Sequence, residues 1–232
     1  MRDPDVPDDG WKPDLAEGGF PPLPQGDLPT DTAALARFLL GKLVMRALPE
    51  GIVVGRIVET EAYVVGDAAG HAYRGETRRN RSLFLEPGRA YVYLAYGVSW
   101  MLNVSSETQG IGAGALIRAL EPLEGVDIMR RNRGVERLSD LARGPGRLCQ
   151  ALRIDRSLDG IDLCRRGPLW LASDGFEPDA IGESVRIGIT KDAERVLRFY
   201  VRGSGSVSGN RGVNGGAQSP LKARLFSSSR AN

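Results

Sequence analysis

The sequence predicts an α+β fold, a single mixed domain around a mainly antiparallel β-sheet with flanking helices. Segments of β-branched and aromatic residues follow one another with Gly- and Pro-containing turns between them, which is typical of antiparallel strands. Helix signals occur at three places among these strands. A length of 232 residues, 41% of them hydrophobic, is enough for one such domain with a substantial core.

The two ends of the chain differ in composition from its centre. Residues 1–29 hold seven of the 14 prolines and seven acidic residues against two basic ones, so we expect a disordered acidic arm. The whole chain carries +2 and this arm −5, which leaves +7 on the rest and suits a polyanionic partner. We expect the folded domain over residues 30–208 and a flexible Gly/Ser-rich tail over residues 209–232.

The composition excludes several classes of protein. No apolar run approaches the ~20 residues of a membrane span, and the first residues lack the order of a secretory signal. Two cysteines, Cys149 and Cys164, do not make a disulfide framework, so we expect a cytoplasmic protein. With one histidine and two dispersed cysteines there is no zinc-ligand spacing, and we expect no metal.

The domain begins with a helix and a hairpin. Thr30 or Asp31 is suited to cap the helix, and Gly41 is suited to end it. Residues 42–48 and 51–65 are predicted strands on either side of a Pro-Glu-Gly turn. If the second strand alternates regularly, Ile57, Glu59, Glu61 and Tyr63 share one of its faces.

The later elements follow from the same signals. A loop rich in Gly and Arg is predicted over residues 66–87, and Glu121-Pro122 is expected to end a strand. A basic helix is expected over residues 125–133, and another helix begins at Pro145, after Gly144. The remaining predicted strands are residues 90–94, 100–105, 113–120, 161–172, 184–189 and 195–201.

Two glutamates are the first candidates for catalysis. Glu59 and Glu61, two residues apart on a strand, have Cα atoms ~6.6 Å apart. This separation falls near the range of inverting glycosidases, so a glycosidic bond is a reasonable substrate. The alternative is that one of these carboxylates only forms a salt bridge to an arginine at a sheet edge.

Aromatic and basic residues surround the glutamates in the sequence. Tyr63 and Tyr93, on predicted neighbouring strands, are suited to stack on a base taken out of a duplex. Tyr96, in a Tyr-Gly turn, is suited to fill the gap that the base leaves. Arg79 and Arg81 are either a solvated loop or contacts to phosphates. The only histidine, His71, is more often a structural residue than a catalyst.

These motifs, in this order, resemble the alkyladenine (3-methyladenine) DNA glycosylase family. The resemblance spans roughly residues 35–208. The blocks that carry it are Ile57-Val58-Glu59-Thr60-Glu61-Ala62-Tyr63, His71-Ala72-Tyr73-Arg74-Gly75, Arg79-Asn80-Arg81, Tyr91-Val92-Tyr93-Leu94-Ala95-Tyr96-Gly97, Arg118-Ala119-Leu120-Glu121-Pro122-Leu123-Glu124-Gly125, Gly144-Pro145-Gly146-Arg147-Leu148-Cys149-Gln150-Ala151-Leu152, Arg186-Ile187-Gly188-Ile189 and Arg198-Phe199-Tyr200-Val201. The sequence departs from the family pattern at Arg78, Val98-Ser99 and Gly205.

The resemblance implies a monofunctional glycosylase that excises alkylated or deaminated purines in base excision repair. It implies a single domain around a curved antiparallel sheet and no cofactor. The implied partner is double-stranded DNA containing damaged purines, and we expect a monomer associated with the nucleoid through that DNA.

The resemblance also implies a role for particular residues. Glu61 is the expected general base, with Arg118 and the carbonyl of Ile187 helping to hold the attacking water. The expected groups around the flipped base are Tyr63, His71, Tyr93 and Asn103. Tyr96 is the expected intercalating residue, Arg79 and Arg81 are expected at the DNA backbone, and Glu59 takes a structural role.

Two other functions fit parts of the sequence. A protein that flips damaged bases without cutting them needs neither Glu61 nor Arg118. A carbohydrate hydrolase would use Glu59 with Glu61, but the surplus of arginine and the Tyr96-Gly97 turn favour DNA.

Overall fold

The computed structural model describes residues 20–209, which form eight strands and four α-helices. The strands are β1 (Leu43–Leu48), β2 (Gly51–Tyr63), β3 (Ala90–Ala95), β4 (Ser99–Ser105), β5 (Gly114–Glu124), β6 (Leu169–Ala172), β7 (Ile181–Ser184) and β8 (Arg198–Val201). The α-helices are α1 (Thr32–Phe38), α2 (Val126–Arg133), α3 (Leu138–Leu141) and α4 (Pro145–Ala151). Short 3₁₀ turns span Gln25–Asp27, Arg81–Phe84 and Arg156–Leu158.

One antiparallel sheet organises the domain. Its order is β3-β4-β5-β2-β1-β6, and the long β2 pairs with β5 along one edge. Along its other edge β2 pairs first with β1 and then with β8, which in turn pairs with β7. The sheet curls into a half-barrel with a few helices beside it. The predicted α+β domain around a curved antiparallel sheet is confirmed.

The main core lies between the sheet and its helices. Asp31 caps α1, because its carboxylate accepts a hydrogen bond from the Ala34 N–H at 2.7 Å. Leu35 of α1 and Leu148 of α4 have no exposed surface and belong to one cluster with Val58 of β2. Burying each such leucine contributes about 1.5–3 kcal/mol. Packing against α1 and α4 therefore holds strand β2 in place.

Three register shifts interrupt the pairing of β2 with β5. Ile57 faces Leu120 and Glu59 faces Ala119, so Val58 is an extra residue on β2. Ile57 and Val58 consequently both belong to the core. The prediction that Ile57 shares a face with the glutamates is wrong, because the bulge changes the alternation at that point.

Three predicted strand boundaries are also wrong. β5 does not end at Glu121-Pro122 but continues to Glu124, since Pro122 pairs across a register shift that tolerates a missing N–H. The strand predicted over residues 161–172 begins only at Leu169, because Asp162 accepts a hydrogen bond from the Cys164 N–H and turns the chain. The strand predicted over residues 184–189 ends at Ser184.

The predicted acidic arm is only partly within the described range. Leu23 and Leu28 are buried, and the Leu23 N–H donates to the Leu171 carbonyl at 2.9 Å. Residues 20–29 therefore pack on the domain. Residues 1–19 of the arm, and all but Gly209 of the predicted tail, lie outside the described residues. Within residues 20–209, no helix has the length and apolar character needed to cross a bilayer.

Candidate active site

An aromatic cavity of about 370 Å³ opens beside the ends of β2 and β5. Its volume is in the range of ~300–1,000 Å³ that is usual for small-molecule sites. Five of the six tyrosines and the only histidine line it. These aromatic residues are Tyr63, His71, Tyr73, Tyr91, Tyr93 and Tyr96. The cavity is suited to bind a flat, unsaturated ring.

Glu61 lies directly behind the wall of this cavity. Its side chain has no exposed surface, and three groups that line the cavity contact it. The Ile187 N–H donates to Oε1 at 2.7 Å, the Tyr63 hydroxyl donates to Oε2 at 3.0 Å, and Arg118 Nη1 lies 3.0 Å from Oε2. These three contacts hold the carboxylate in one orientation.

Glu59 is enclosed by donors on all sides. Its Oε1 accepts bonds from the Nε atoms of Arg118 and Arg198 at 2.9 and 2.7 Å. The Ser208 hydroxyl donates to Oε1 at 2.8 Å and the Ser208 N–H to Oε2 at 2.6 Å. Burial alone would raise the pKa of Glu59, but the two guanidinium groups and these bonds hold it below its ordinary value. This network supports the structural role expected for Glu59.

Arg118 joins the two carboxylates, and a bulge places it there. Glu59 faces Ala119 and Thr60 faces Ile117, which leaves Arg118 as an extra residue on β5. Bulges commonly redirect a side chain beside an active site. The Arg118 side chain is almost fully buried and contacts both glutamates.

The tyrosines on β3 form one wall of the cavity. Tyr91 and Tyr93 stack with ring centroids 5.2 Å apart, and His71 meets the Tyr93 ring edge-on at 4.4 Å. Burial raises the pKa of Tyr93 to about 12, with the Glu61 carboxylate as the next cause. Tyr93 is therefore a neutral aromatic surface at physiological pH.

The surroundings of His71 favour its neutral form. Its Nδ1 lies 2.8 Å from the Tyr91 hydroxyl. Burial, and then the Arg79 guanidinium, lower the pKa of His71 from its ordinary 6.5. A neutral imidazole does not repel a cationic ring in the cavity.

Asn103 lies at the base of the cavity. It is buried on β4, and its side-chain amide donates to the Tyr91 carbonyl at 3.2 Å. This bond fixes the amide against the β3 strand, so Asn103 can limit which groups fit the cavity floor.

Tyr96 lies at the tip of the β3–β4 turn. Its backbone is left-handed, with φ of 50°, and its side chain is 92% exposed. Gly97 follows with φ of 71°, and Val98 beside it is also exposed. The turn projects an aromatic ring from the rim of the cavity into solvent.

One sequence expectation needs correction. Tyr63 and Tyr93 are not on neighbouring strands, since β4 and β5 lie between β2 and β3. The curl of the sheet nevertheless brings both rings to the same cavity. Ile187 contacts Glu61 through its N–H, and a water contact of its carbonyl stays a prediction.

Arg79 and Arg81 are both exposed and line neither cavity. Arg79 is close enough to His71 to lower its pKa. Their expected contact with the DNA backbone stays a prediction.

A second cavity, of about 420 Å³, adjoins the aromatic one and is strongly basic. It shares Arg118, Pro145 and Ile187 with the first cavity and adds Arg143 and Arg147. Among the residues that line it there is no carboxylate. Arg118 is already paired with Glu59 and Glu61, so Arg143 and Arg147 are the two guanidinium groups next to the aromatic cavity that are suited to bind phosphate.

Four residues of the site network were not assigned from the sequence. Arg198 and Ser208 hold Glu59, while Asp67 pairs with Arg186, which precedes Ile187. Arg186 and Arg198 stand within the family-like blocks, which could have indicated them. Asp67 and Ser208 carry no such signal, because their contacts are long-range.

Comparison with known proteins agrees with this geometry. The family model of methylpurine-DNA glycosylase matches residues 27–205. A protein of Mesorhizobium japonicum, named "Putative 3-methyladenine DNA glycosylase", is 76% identical over 193 residues, covering 83% of this chain and 93% of the relative. Proteins with the same printed name from Paraburkholderia phytofirmans and Methanoculleus marisnigri are similar too. The first is 49% identical over 82% of this chain and 89% of the relative, the second 46% identical over 80% and 98%.

The family match covers most of the described residues, including both glutamates, the aromatic cavity and the Ile187 segment. The chain belongs to the methylpurine-DNA glycosylase family.

Proposed function

We propose that the protein is a monofunctional DNA glycosylase that flips alkylated or deaminated purines out of duplex DNA and hydrolyses their N-glycosidic bonds. The observation that carries this proposal is the buried Glu61 carboxylate, which is separated from an aromatic cavity only by the residues that line it. The relatives' printed names support 3-methyladenine as one of the excised bases.

Tyr63, Arg118 and Ile187 each line the cavity and contact Glu61. The attacking water must therefore stand among these three groups. Glu61 accepts a proton from this water, and the water oxygen forms a bond to C1′ of the sugar. The N-glycosidic bond breaks, and its electron pair leaves with the purine. The same carboxylate stabilises the oxocarbenium-like sugar in the transition state.

The chemistry of the substrate explains why one carboxylate suffices. A purine alkylated at N3 or N7 is cationic and becomes neutral as it takes the bond electrons, so it leaves without an acid. Glu59 is held by two arginines and Ser208, and its low pKa keeps it from donating a proton. A carbohydrate hydrolase with Glu59 as its acid does not fit this arrangement.

The basic cavity supports DNA as the partner. Gly146 at the start of α4 packs so closely on Ser99 that an added Cβ would lie 2.9 Å from it. Ser99 directly follows the Tyr96–Val98 turn, so Arg147 on the same helix lies near that turn. A duplex that receives Tyr96 then has its phosphates within reach of Arg143 and Arg147.

The Glu61→Gln variant tests this function. Glutamine keeps the shape of the side chain but cannot take up the proton, so we expect excision to slow by about 10²–10⁴-fold. The measurement is release of 3-methyladenine from methylated duplex DNA, or alkali-induced strand cleavage at hypoxanthine. Glu183→Gln, an exposed glutamate on β7, is the matched control and keeps full activity.

Two outcomes would contradict the proposal. If the wild type binds damaged duplex but releases no base, the protein recognises damage without cutting it. If Glu61→Gln excises as fast as the wild type, Glu61 is not the general base.

A further inference from the structure

Arg186 is the centre of a buried network beside the active site. Its guanidinium and the Asp67 carboxylate have no exposed side-chain surface. Nη2 donates to Asp67 Oδ1 at 3.0 Å, and Nη1 donates to Asp67 Oδ2. Nη1 also donates to the Ala62 carbonyl at 3.0 Å and Nη2 to the Asp192 carbonyl at 3.2 Å. This paired geometry requires the planar fork of an arginine.

The network joins two loops that both line the aromatic cavity. Asp67 belongs to the loop after β2, and Arg186 to the loop after β7. The Asp192 carboxylate adds a second tie, because it accepts a hydrogen bond from the Ala68 N–H at 2.8 Å. Both loops supply cavity wall, the first at residues 66, 69 and 70 and the second at residues 187–189.

Arg186 acts on Glu61 through its chain neighbour. Ile187 donates its N–H to Glu61 Oε1 at 2.7 Å, and Ile187 follows directly after the anchored Arg186. Gly188, with φ of 80°, then turns the chain away. The position of this N–H therefore depends on where Arg186 is held.

Arg186 also contacts a base-stacking candidate. Its guanidinium carbon lies 4.7 Å from the centre of the Tyr63 ring, and Tyr63 both lines the cavity and donates to Glu61. A guanidinium against one face of a ring fixes the plane of that ring. A displaced Arg186 would disturb Glu61 from both sides.

We propose that Arg186, clamped by Asp67, is a positioning residue for excision. It holds the Ile187 N–H and the Tyr63 ring in the places where Glu61 activates water and the base stacks. This assignment rests on the proposed glycosylase function and adds to it a residue that lines neither cavity.

The chain offers a matched control for this role. Arg56 forms a similar two-bond pair with Asp174, at 2.9 and 2.7 Å, although this pair is only partly buried, and Arg56 also donates to the Gly41 carbonyl at 2.9 Å. Its guanidinium carbon lies 4.2 Å from the Phe176 ring centre. None of these residues lines either cavity. Arg56→Lys therefore reports the cost of losing such a clamp away from the site.

The test is single-turnover excision of 3-methyladenine from methylated duplex DNA with excess enzyme. We expect Arg186→Lys to lower the rate constant by about 10–100-fold, since small displacements of reacting groups cost that much. Binding to a duplex with a tetrahydrofuran abasic-site analogue should change less than about 3-fold, because no base then enters the cavity. Arg56→Lys should keep the wild-type rate constant, although both variants lose thermal stability.

A second variant keeps the test decisive if Arg186→Lys does not fold. Asp67→Asn should lower the rate constant in the same direction, and the double variant should be no slower than the slower single variant. The proposal is overturned if either folded single variant excises at the wild-type rate, or if Arg56→Lys slows excision equally. An inactive wild type would instead overturn the proposed function itself.

Discussion

At the scale of single residues, two glutamates two positions apart have different surroundings, which suit them to different roles. Glu59 is surrounded by Arg118, Arg198 and Ser208, which use its oxygens for structure. Glu61 is contacted by three separate groups, each of which lines the cavity. Identical side chains therefore differ in chemistry because of the groups that reach them.

Glu59→Gln should destabilise the fold strongly. It removes the negative charge between two buried guanidinium groups, and breaking a buried pair costs about 3–5 kcal/mol. The measurement is the free energy of unfolding in urea at pH 7, with Glu183→Gln as an exposed control.

The contribution of Glu59 to the free energy of unfolding should depend on pH. The pKa of folded Glu59 is lower than its ordinary 4.5, so its stabilisation is fully present above about pH 4.5. It is lost as the pH falls through the lower, folded value, where the carboxylate takes up a proton. The wild type should therefore lose more stability than Glu59→Gln in acid. Parallel stability curves below pH 4.5 would show that Glu59 is not the group responsible.

At the scale of elements, sequence patterns predicted most of the strands and helices but not how they are joined. The hairpin of β1 and β2 is confirmed because a Pro-Glu-Gly turn separates two runs of β-forming residues. The bulge residues Val58 and Arg118 have no local signal. These bulges arise from the pairing of strands that lie ~60 residues apart in sequence, and the alternation pattern of a single strand carries no information about that pairing.

The β3–β4 turn combines a strained backbone with an exposed aromatic ring. Tyr96 has a left-handed backbone, which costs a residue other than glycine roughly 1–2 kcal/mol, and its exposed ring gains no packing in return. Strain of this kind often persists at functional sites. The turn thus favours a role in binding a partner rather than in stabilising the folded domain.

Substitutions at Tyr96 separate the effect of its strained backbone from the proposed role of its ring in duplex DNA. Tyr96→Ala removes the ring, so excision from duplex should fall at least ~10-fold while excision from single strands is unchanged, because only a duplex leaves a gap. Tyr96→Asn should show the same loss and raise the free energy of unfolding by up to about 1 kcal/mol, since asparagine tolerates this conformation. Val196→Ala is an exposed control. Equal losses on both substrates would count against an intercalating role.

At the scale of the whole molecule, the curl of the sheet assembles the site. Tyr63 and Tyr93 lie on strands separated by two others, yet both line one cavity. The family resemblance indicated that these residues act together, whereas alternation along the strands indicated only which face each occupies. The Asp67–Arg186 clamp was not predicted, because it joins two loops 119 residues apart in sequence.

The basic side of the molecule should control its affinity for DNA. Arg147 is exposed, lines the basic cavity and lowers the pKa of Arg133 on α2, where burial is the larger cause. A phosphate in the basic cavity would pair with the exposed Arg147 guanidinium. Arg147→Gln should therefore weaken duplex binding at low salt and reduce the slope of log affinity against log salt by about 1. Arg165→Gln, an exposed arginine that lines neither cavity, is the control with an unchanged slope.

Because a phosphate contact carries no sequence information, Arg147→Gln should weaken binding to undamaged and damaged duplex alike. A loss confined to damaged duplex would instead assign Arg147 to recognition of the flipped nucleotide.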